Sequence, residues 1–277
     1  MMRAIKAIWI RNMKNFVRDR MRLFFTIFMS FFFLFIFSFV MESTIKGIVD
    51  NPITYLISGI IIMTVFQAAL NNSMNTIDDV ASGFMREIIV APIQRWQISV
   101  GQILSSATIA LLQGIIVVIV ALFMGLTLTP LQFIEMILVM LLVGVTFASI
   151  GLFLATLAKS STTFQLLISI VVLPLTFLSG AYIPTTVLPA FLNPVVYLNP
   201  LTYTTSIFRY ISLGLGDVST DELVQMGVAF DVSGWVITPL MGMWIILAIG
   251  LIFFGLATIQ FNKADFSVVK SRGRRPH

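Results

Sequence analysis

Residues 23–41 read LFFTIFMSFFFLFIFSFVM and contain no charged side chain. A helix crosses the hydrocarbon core of a bilayer with about 20 apolar residues, so this stretch is long enough to span a membrane. A basic segment precedes it, as in a signal peptide, but the stretch is too long for one and no A-x-A cleavage site follows it. We therefore interpret it as a retained membrane span.

Five more apolar stretches of comparable length follow the first one. They cover residues 53–70, 98–126, 131–157, 163–179 and 235–261. The whole chain is 58% hydrophobic and 10% charged, whereas soluble domains contain about 25% charged residues. This composition excludes a soluble enzyme, a nucleic-acid-binding domain and a disordered protein. The sequence predicts an all-α integral membrane protein, with residues 23–261 forming a domain of six transmembrane helices.

The basic residues lie almost entirely on one side of the predicted spans. Of the 17 Lys and Arg residues, only Lys46 and Arg209 fall on the other side. Short loops rich in Lys and Arg remain in the cytoplasm. We therefore expect a multi-pass protein of the plasma or inner membrane. Its N-terminus and its basic tail, residues 262–277, are both expected in the cytoplasm, which agrees with an even number of spans.

Residues 1–22 combine apolar and basic side chains at helical spacing. Ile5, Ile8, Trp9, Met13, Phe16 and Val17 share one face, and Arg3, Lys6, Arg11, Lys14 and Arg18 share the other. This pattern predicts an amphipathic helix in the cytoplasmic membrane interface, held by apolar burial and by anionic lipid. Such a helix is either an anchor or a lever that passes motion from a cytoplasmic partner to the first span.

Two segments between spans are longer than a simple connection requires. Residues 71–97, on the cytoplasmic side, include the apolar run 84–90, which predicts a short helix that ends before Pro92. An apolar patch bounded by charge is typical of a protein contact, with an ordinary amphipathic connector as the alternative. Residues 180–216, on the outer side, predict a re-entrant helix pair that gates a pathway or packs as a lid.

Together these features resemble ABC-2 type permeases, the membrane subunits of ATP-binding-cassette exporters, and most closely those that export drugs and antibiotics. The matching motifs are GFMREIIVAP at 83–92 with Arg95, ALLQ at 110–113, SG at 179–180 with Pro184 and Pro189, and NPLTY at 199–203 with Arg209. Two positions depart from the family pattern. Residues 80–82 lack the charges that many relatives carry before the glycine. Ser206 stands where an acidic residue often precedes the arginine.

The resemblance and the polar residues of the spans indicate two sets of site residues. The residues expected to couple to an ATPase are Gly83, Phe84, Met85, Arg86, Glu87, Pro92 and Arg95. The candidates for a pathway or gate are Gln67, Gln113, Glu135, Asn199, Pro200, Tyr203 and Arg209. Glu135 is charged within a span, where we expect it to reach water or a neighbouring Arg209 rather than a substrate or proton. The glutamines are equally consistent with interhelical hydrogen bonds.

The chain has no sequence for binding ATP. It contains no G-x-x-x-x-G-K-[ST] run, and the similar residues 158–161 lack the glycines. With one histidine and no cysteine, it also has few ligands for a catalytic metal. We therefore expect that the chain is not an enzyme and binds no cofactor or metal itself.

The resemblance implies two copies of a separate cytoplasmic ATPase, which bind ATP and Mg, on two permease subunits that form a homodimer. The expected substrate is hydrophobic or amphipathic: a drug, a natural product or a lipid-linked molecule that leaves the cytoplasm or the inner leaflet. Alternatives are a permease for lipid-linked polysaccharide, a stand-alone ion-coupled carrier and a scaffold subunit. No ladder of carboxylates suggests an ion relay in the spans, which weighs against the carrier.

Overall fold

The structure is a computed structural model that describes residues 2–44, 52–90, 93–158, 160–232 and 234–264. Most of the chain is helical. The helices are α1 Met2–Arg18, α2 Arg20–Thr44, α3 Pro52–Asn72, α4 Met74–Ala81, α5 Phe84–Val90, α6 Arg95–Phe123, α7 Pro130–Leu157, α8 Ser161–Leu178, α9 Asn193–Leu198, α10 Pro200–Ser212, α11 Thr220–Gln225 and α12 Pro239–Lys263. Strands β1 Phe230–Val232 and β2 Trp235–Ile237 form an antiparallel hairpin.

Five helical segments of the described chain are long and apolar enough to cross a membrane. They are α6, α7, α8, α12 and the run Thr54–Ala81, which holds most of α3 together with α4. The predicted spans 53–70, 98–126, 131–157 and 163–179 fall on α3, α6, α7 and α8, within a few residues at each end. The first predicted span lies within α2, which is 25 residues long.

The last predicted span begins too early. Residues 235–237 form strand β2, and the helix α12 starts only at Pro239. Thr238 caps this helix, because its hydroxyl accepts a hydrogen bond from the backbone nitrogen of Met241 at 3.4 Å. Proline in the first turn and threonine before it are typical helix starts. The residues of β2 are as apolar as the span, so hydropathy alone does not separate the two.

Helix α3 lies at the centre of the bundle, packed against α2, α6 and α7. Phe66 on α3 meets Phe147 on α7 edge to face, with ring centroids 4.6 Å apart. Glycines allow the helices to approach closely. A Cβ atom added to Gly114 would lie 2.5 Å from Cγ2 of Val65. Small residues at such contacts are typical of helices that pack in membranes.

Contacts between helix termini define one end of the bundle, which we call the α4 end. At this end Nη2 of Arg22 donates to Oδ1 of Asn72 at 2.6 Å, which joins the start of α2 to the last residue of α3. Arg95, at the start of α6, donates to the carbonyl oxygens of Asn262 and Ala264, both at 3.0 Å. Helices α1, α4 and α5 lie at this same end.

The opposite end, which we call the α10 end, holds the predicted re-entrant segment 180–216. Two 3-10 turns, Thr185–Val187 and Ala190–Leu192, lead into α9 and α10. Helix α10 corresponds to the helical run expected there. Most of its side chains are buried, and it packs against α3, α7 and α12. It is therefore an integral part of the bundle.

Candidate functional site

The segment 71–97 folds into two short helices joined by a tight turn. The predicted helix over 84–90 is confirmed as α5, and α4 before it was not predicted. Gly83 forms the turn with a φ of 83°, in the left-handed region that favours glycine. Ser82 and Glu87 are exposed on this segment, whereas Met85 is fully buried. The polar side chains near the turn therefore face outward, and Met85 packs into the core and holds the turn in place.

A buried carboxylate on α4 binds the N-terminal helix. Both oxygens of Asp79 accept hydrogen bonds from the guanidinium of Arg11 on α1, one of them at 2.9 Å. Asp79 is 3% exposed. The same guanidinium lies over the ring of Phe84 on α5, 4.0 Å from its centroid. Arg11 thus joins α1 to both helices of the segment.

The contact continues into helix α6 through buried amides. Nε2 of Gln102 donates to Oδ2 of Asp79 at 3.1 Å, and Nδ2 of Asn12 donates to Oε1 of Gln102 at 2.8 Å. The Asn12 amide also donates to the hydroxyl of Ser105 at 2.7 Å. These hydrogen bonds form a continuous chain from α4 to α6 and α1. We call Arg11, Asn12, Asp79, Gln102 and Ser105 the polar cluster.

A groove of about 370 Å³ runs between α2, α3 and α6. The residues lining it are Arg22, Phe25, Thr26, Met29, Phe33, Ile60, Met63, Thr64, Gln67, Ala68, Asn71, Gln113 and Tyr182. We call it the α2–α3 groove. It contains two of the predicted pathway residues, Gln67 and Gln113. Nε2 of Gln113 donates to the hydroxyl of Thr26 at 3.3 Å, which brings α6 to the groove wall.

The α2–α3 groove is polar at one end and apolar at the other. Arg22 and Asn71 lie at the α4 end, and Phe33 and Tyr182 lie toward the α10 end, with their rings stacked 6.2 Å apart. Arg22 is the one charged residue in the lining. From Arg22 to Phe33 the helix rises about 16 Å. The length of the groove and its polar and apolar ends therefore match those of an amphipathic molecule.

The predicted gate residues near α10 have well-defined packing partners. The side-chain oxygen of Asn199 caps α10 by accepting from the nitrogen of Leu201 at 2.9 Å, and Pro200 occupies the first turn. The hydroxyl of Tyr203 donates to the carbonyl oxygen of Tyr197 at 2.6 Å. These contacts stabilise the start of α10, and a role in gating stays a prediction.

Arg209 does not pair with Glu135. In the described part of the chain the one ion pair is Arg11–Asp79. Arg209 is 1% exposed, and its Cζ atom lies 3.3 Å from the ring centroid of Tyr55. It also donates to the carbonyl oxygen of Gly180 at 3.1 Å. Of the two alternatives expected for Glu135, contact with Arg209 is not observed, because the guanidinium packs on Tyr55 and donates to backbone carbonyls instead. Glu135 is only half-buried, which agrees with the other alternative, contact with water.

Residues 3–213 match the family model described as ABC-2 type transporter. The chain belongs to the ABC-2 type transporter family. The inner membrane transport permease YadH of Escherichia coli (strain K12) is 29% identical over 255 residues, which cover 84% of this chain and 92% of that protein. The ycf38 protein of Porphyra purpurea, also named as a transport permease, is 32% identical over 203 residues, 65% of this chain and 67% of that protein.

Members of this family are membrane subunits of transporters and typically work with an ATPase partner, so the chain is a transport permease. Among the described members of the predicted coupling set, the side chains do not form one surface. Phe84 supports Arg11, Met85 is core, and Arg95 binds the end of α12. Glu87 faces outward. Pro92 and the side chain of Arg86 lie outside the described residues.

The sequence reasoning missed the polar cluster of the permease. The helical periodicity of residues 1–22 places Arg11 on the basic face and Asn12 on neither face. The side chains buried on α1 are Ile8, Asn12 and Phe16, whereas Val17 of the predicted apolar face is 61% exposed. The one available signal was the i, i+4 spacing of those three residues, which defines a single helix face.

Removal of either partner of the Arg11–Asp79 pair should destabilise the permease. We expect Arg11→Gln and Asp79→Asn each to lower the melting temperature. The double variant should lose less unfolding free energy than the two single variants lose in total. The difference, which is the coupling free energy, should be about 0.5–3 kcal/mol. The measurement is a double-mutant cycle on the detergent-purified protein.

The matched control is Asp78→Asn, which changes the neighbouring exposed carboxylate. The losses of unfolding free energy caused by Asp78→Asn and by Arg11→Gln should be additive in the double variant. Strict additivity for Arg11→Gln with Asp79→Asn would contradict the pairing.

Proposed function

We propose that this permease is the membrane subunit of an ATP-driven exporter, energised by a separate ATPase that docks on the α4–α5 segment. The observation that supports it most strongly is the connection of this segment to the polar cluster. A force on the exposed side of α5 reaches α1 through Arg11 and α6 through Asp79 and Gln102. The segment therefore has the contacts of a lever rather than those of a passive connection.

The ATPase is proposed to be present in two copies and to hold the ATP and Mg. The permease sequence has no phosphate-binding run, so energy from ATP would enter through a contact with another protein. Coupling by ATP hydrolysis rather than by an ion gradient is supported by the α2–α3 groove. Its lining includes no aspartate or glutamate that could exchange a proton.

We propose that the α4 end faces the cytoplasm and that α2 is the sixth span. Arg3, Lys6, Lys14 and Arg18 of α1 lie at this end, as the positive-inside rule requires of a cytoplasmic side. Helix α2 is about 38 Å long, which exceeds the hydrocarbon core of a bilayer. Six spans then place both termini in the cytoplasm, and α9 and α10 re-enter the bilayer from outside.

A second copy of the permease is proposed to cover helix α8. Only 17% of the apolar window of α8 is buried within the chain. Helix α12 is similarly uncovered, but its outward residues between 240 and 259 are all apolar, as expected for contact with lipid. The outward face of α8 includes Thr162, Gln165 and Ser169. The hydroxyl of Ser169 donates within the helix to the carbonyl oxygen of Gln165, so Thr162 and the amide oxygen of Gln165 are the groups open to a second chain. Polar side chains of this kind form hydrogen bonds between membrane helices, which supports a homodimer.

The proposed cargo is an amphipathic molecule that enters the α2–α3 groove from the inner leaflet. Arg22 and Asn71 suit an anionic or hydrogen-bonding head, and Phe25, Met29 and Phe33 suit an apolar tail. A hydrophobic drug, a natural product and a lipid-linked molecule all share this chemistry. We propose that transport is outward, because the polar end of the α2–α3 groove, which suits the head group of the cargo, lies at the proposed cytoplasmic end.

The first experiment tests the ATPase contact. The permease has no native cysteine, so Ser82→Cys creates a single exposed thiol beside the turn. The tagged permease, co-expressed with a candidate ABC ATPase, should copurify with it in equal amounts and crosslink through residue 82. Ser219→Cys, at the α10 end, is the matched control and should not crosslink. A permease that is purified alone and transports without ATPase would overturn the proposal.

A second experiment separates coupling from folding. The double variant Arg86→Ala, Glu87→Ala should retain the melting temperature, since Glu87 is exposed. We expect transport to fall at least tenfold and substrate-stimulated ATP hydrolysis to disappear. The measurement compares both activities in proteoliposomes. Wild-type transport by this variant would show that the α4–α5 segment is not the coupling element.

A third experiment tests the head-group end of the α2–α3 groove. Arg22→Gln should raise the KM for a fluorescent amphiphile with one phosphate by about tenfold or more, because a charged hydrogen bond contributes about 1.5–3 kcal/mol. Uptake of a neutral amphiphile with the same chain should change little. Arg20→Gln, at an exposed position two residues away, is the control. Equal effects of the two variants would contradict binding at Arg22.

A further inference from the structure

A second groove, of about 460 Å³, lies between α1 and α6. Its lining consists of Met2, Ile5, Lys6, Trp9, Leu104 and Thr108. We call it the α1–α6 groove. Four of these side chains are apolar, and none is acidic. It shares no residue with the α2–α3 groove or with the polar cluster.

The α1–α6 groove has a rigid wall and an open side. Nε1 of Trp9 donates to the hydroxyl of Thr108 at 3.0 Å, which fixes the indole ring against α6. A Cβ atom added to Gly101 would lie 3.1 Å from Cβ of Ile8, so α1 and α6 meet closely beside the groove. Leu104 is 39% exposed and Met2 is 84% exposed. The groove is therefore preformed and accessible from outside the bundle.

Centring α6 on the hydrocarbon core places the α1–α6 groove at the depth of the acyl chains. Helix α6 has 29 residues and is about 43 Å long, so it extends about 7 Å beyond a 30 Å hydrocarbon core at each end. Leu104 and Thr108 then lie about 7 and 13 Å inside that core on the α4 side. An apolar chain in the groove would occupy the depth of the neighbouring lipid tails.

The rim of the groove is positively charged. Helix α1 contains no aspartate or glutamate, and of its five basic residues only Arg11 has an ion-pair partner in the described chain. Lys6 lines the groove, and Arg3 lies one turn away on the same helix face. A lysine stem packs along apolar surface while its ammonium group stays at the polar boundary. The rim complements a phosphate at the level of the head groups.

We propose that the α1–α6 groove binds one anionic phospholipid from the leaflet on the α4 side. One acyl chain lies along Leu104 and Trp9, and the head-group phosphate lies at Lys6. The lipid fills the open side of the α1–α6 contact and holds α1 in the position from which it reaches Asp79. This site is separate from the cargo groove and does not depend on the proposed transport activity.

Native mass spectrometry of the full-length, detergent-purified permease tests the proposal. Phosphatidylglycerol and phosphatidylcholine with identical acyl chains are added in parallel. We expect one phosphatidylglycerol per chain, retained at about fivefold lower concentration than phosphatidylcholine, since a basic residue near the head groups contributes about that factor. Glycerol phosphate, added as the head group alone, should not bind in this range. Equal retention of both lipids, or glycerol phosphate binding as tightly as the lipid, would overturn the proposal.

Two pairs of variants locate the site. Lys6→Gln should abolish the preference for phosphatidylglycerol, whereas Lys14→Gln, at an exposed position of α1 outside the groove, should preserve it. Leu104→Trp should fill the groove and reduce retention of both lipids at least fivefold. Leu122→Trp, at a similarly exposed position of α6, should not. An equal effect of both lysine variants would indicate diffuse attraction and overturn a discrete site.

Discussion

The arrangement of the α4 end depends on how a buried carboxylate is neutralised. Asp79 is almost inaccessible to solvent, and an unpaired charge in such a position is strongly unfavourable. Arg11 provides the opposite charge in bidentate geometry, and Gln102 provides a further hydrogen bond. Because these partners come from α1 and α6, the charge on α4 can be satisfied only when three separate helices are assembled.

This constraint fixes α1, α4 and α6 to one another at the α4 end. The outer helices α2 and α8 are held by fewer contacts. The helices α3, α6 and α7 are packed through small residues and buried rings, so relative movement among them is costly. Helix α8 is covered much less by the rest of the chain, and the α2–α3 groove separates parts of α2 from α3. In the proposed transport cycle, a path opens along α2 or at the contact between α8 and the second copy.

At the α10 end the buried charge is a cation, the guanidinium of Arg209. Arg209 is buried without a carboxylate partner among the described residues, and carbonyl oxygens with the face of Tyr55 take its place. Cation–π contacts of desolvated arginines are worth about 2 kcal/mol or more. Ser206, one turn before it on α10, donates instead to the carbonyl oxygen of Val228. These contacts of Arg209 fix α10 to the ends of α3 and α8, and Glu135 does not contribute to the neutralisation of Arg209.

Apolar runs determined the membrane class and five of the helical spans, and the apolar run before Pro92 determined the helix α5, because these features depend on local composition and backbone conformation. Hydropathy could not separate strand β2 from α12, since both are apolar. The polar cluster, the two grooves and the partners of Arg209 were decided only by the tertiary structure. Each joins residues far apart in sequence, such as Arg11 with Asp79 and Tyr55 with Arg209, and one sequence does not show which buried polar groups meet.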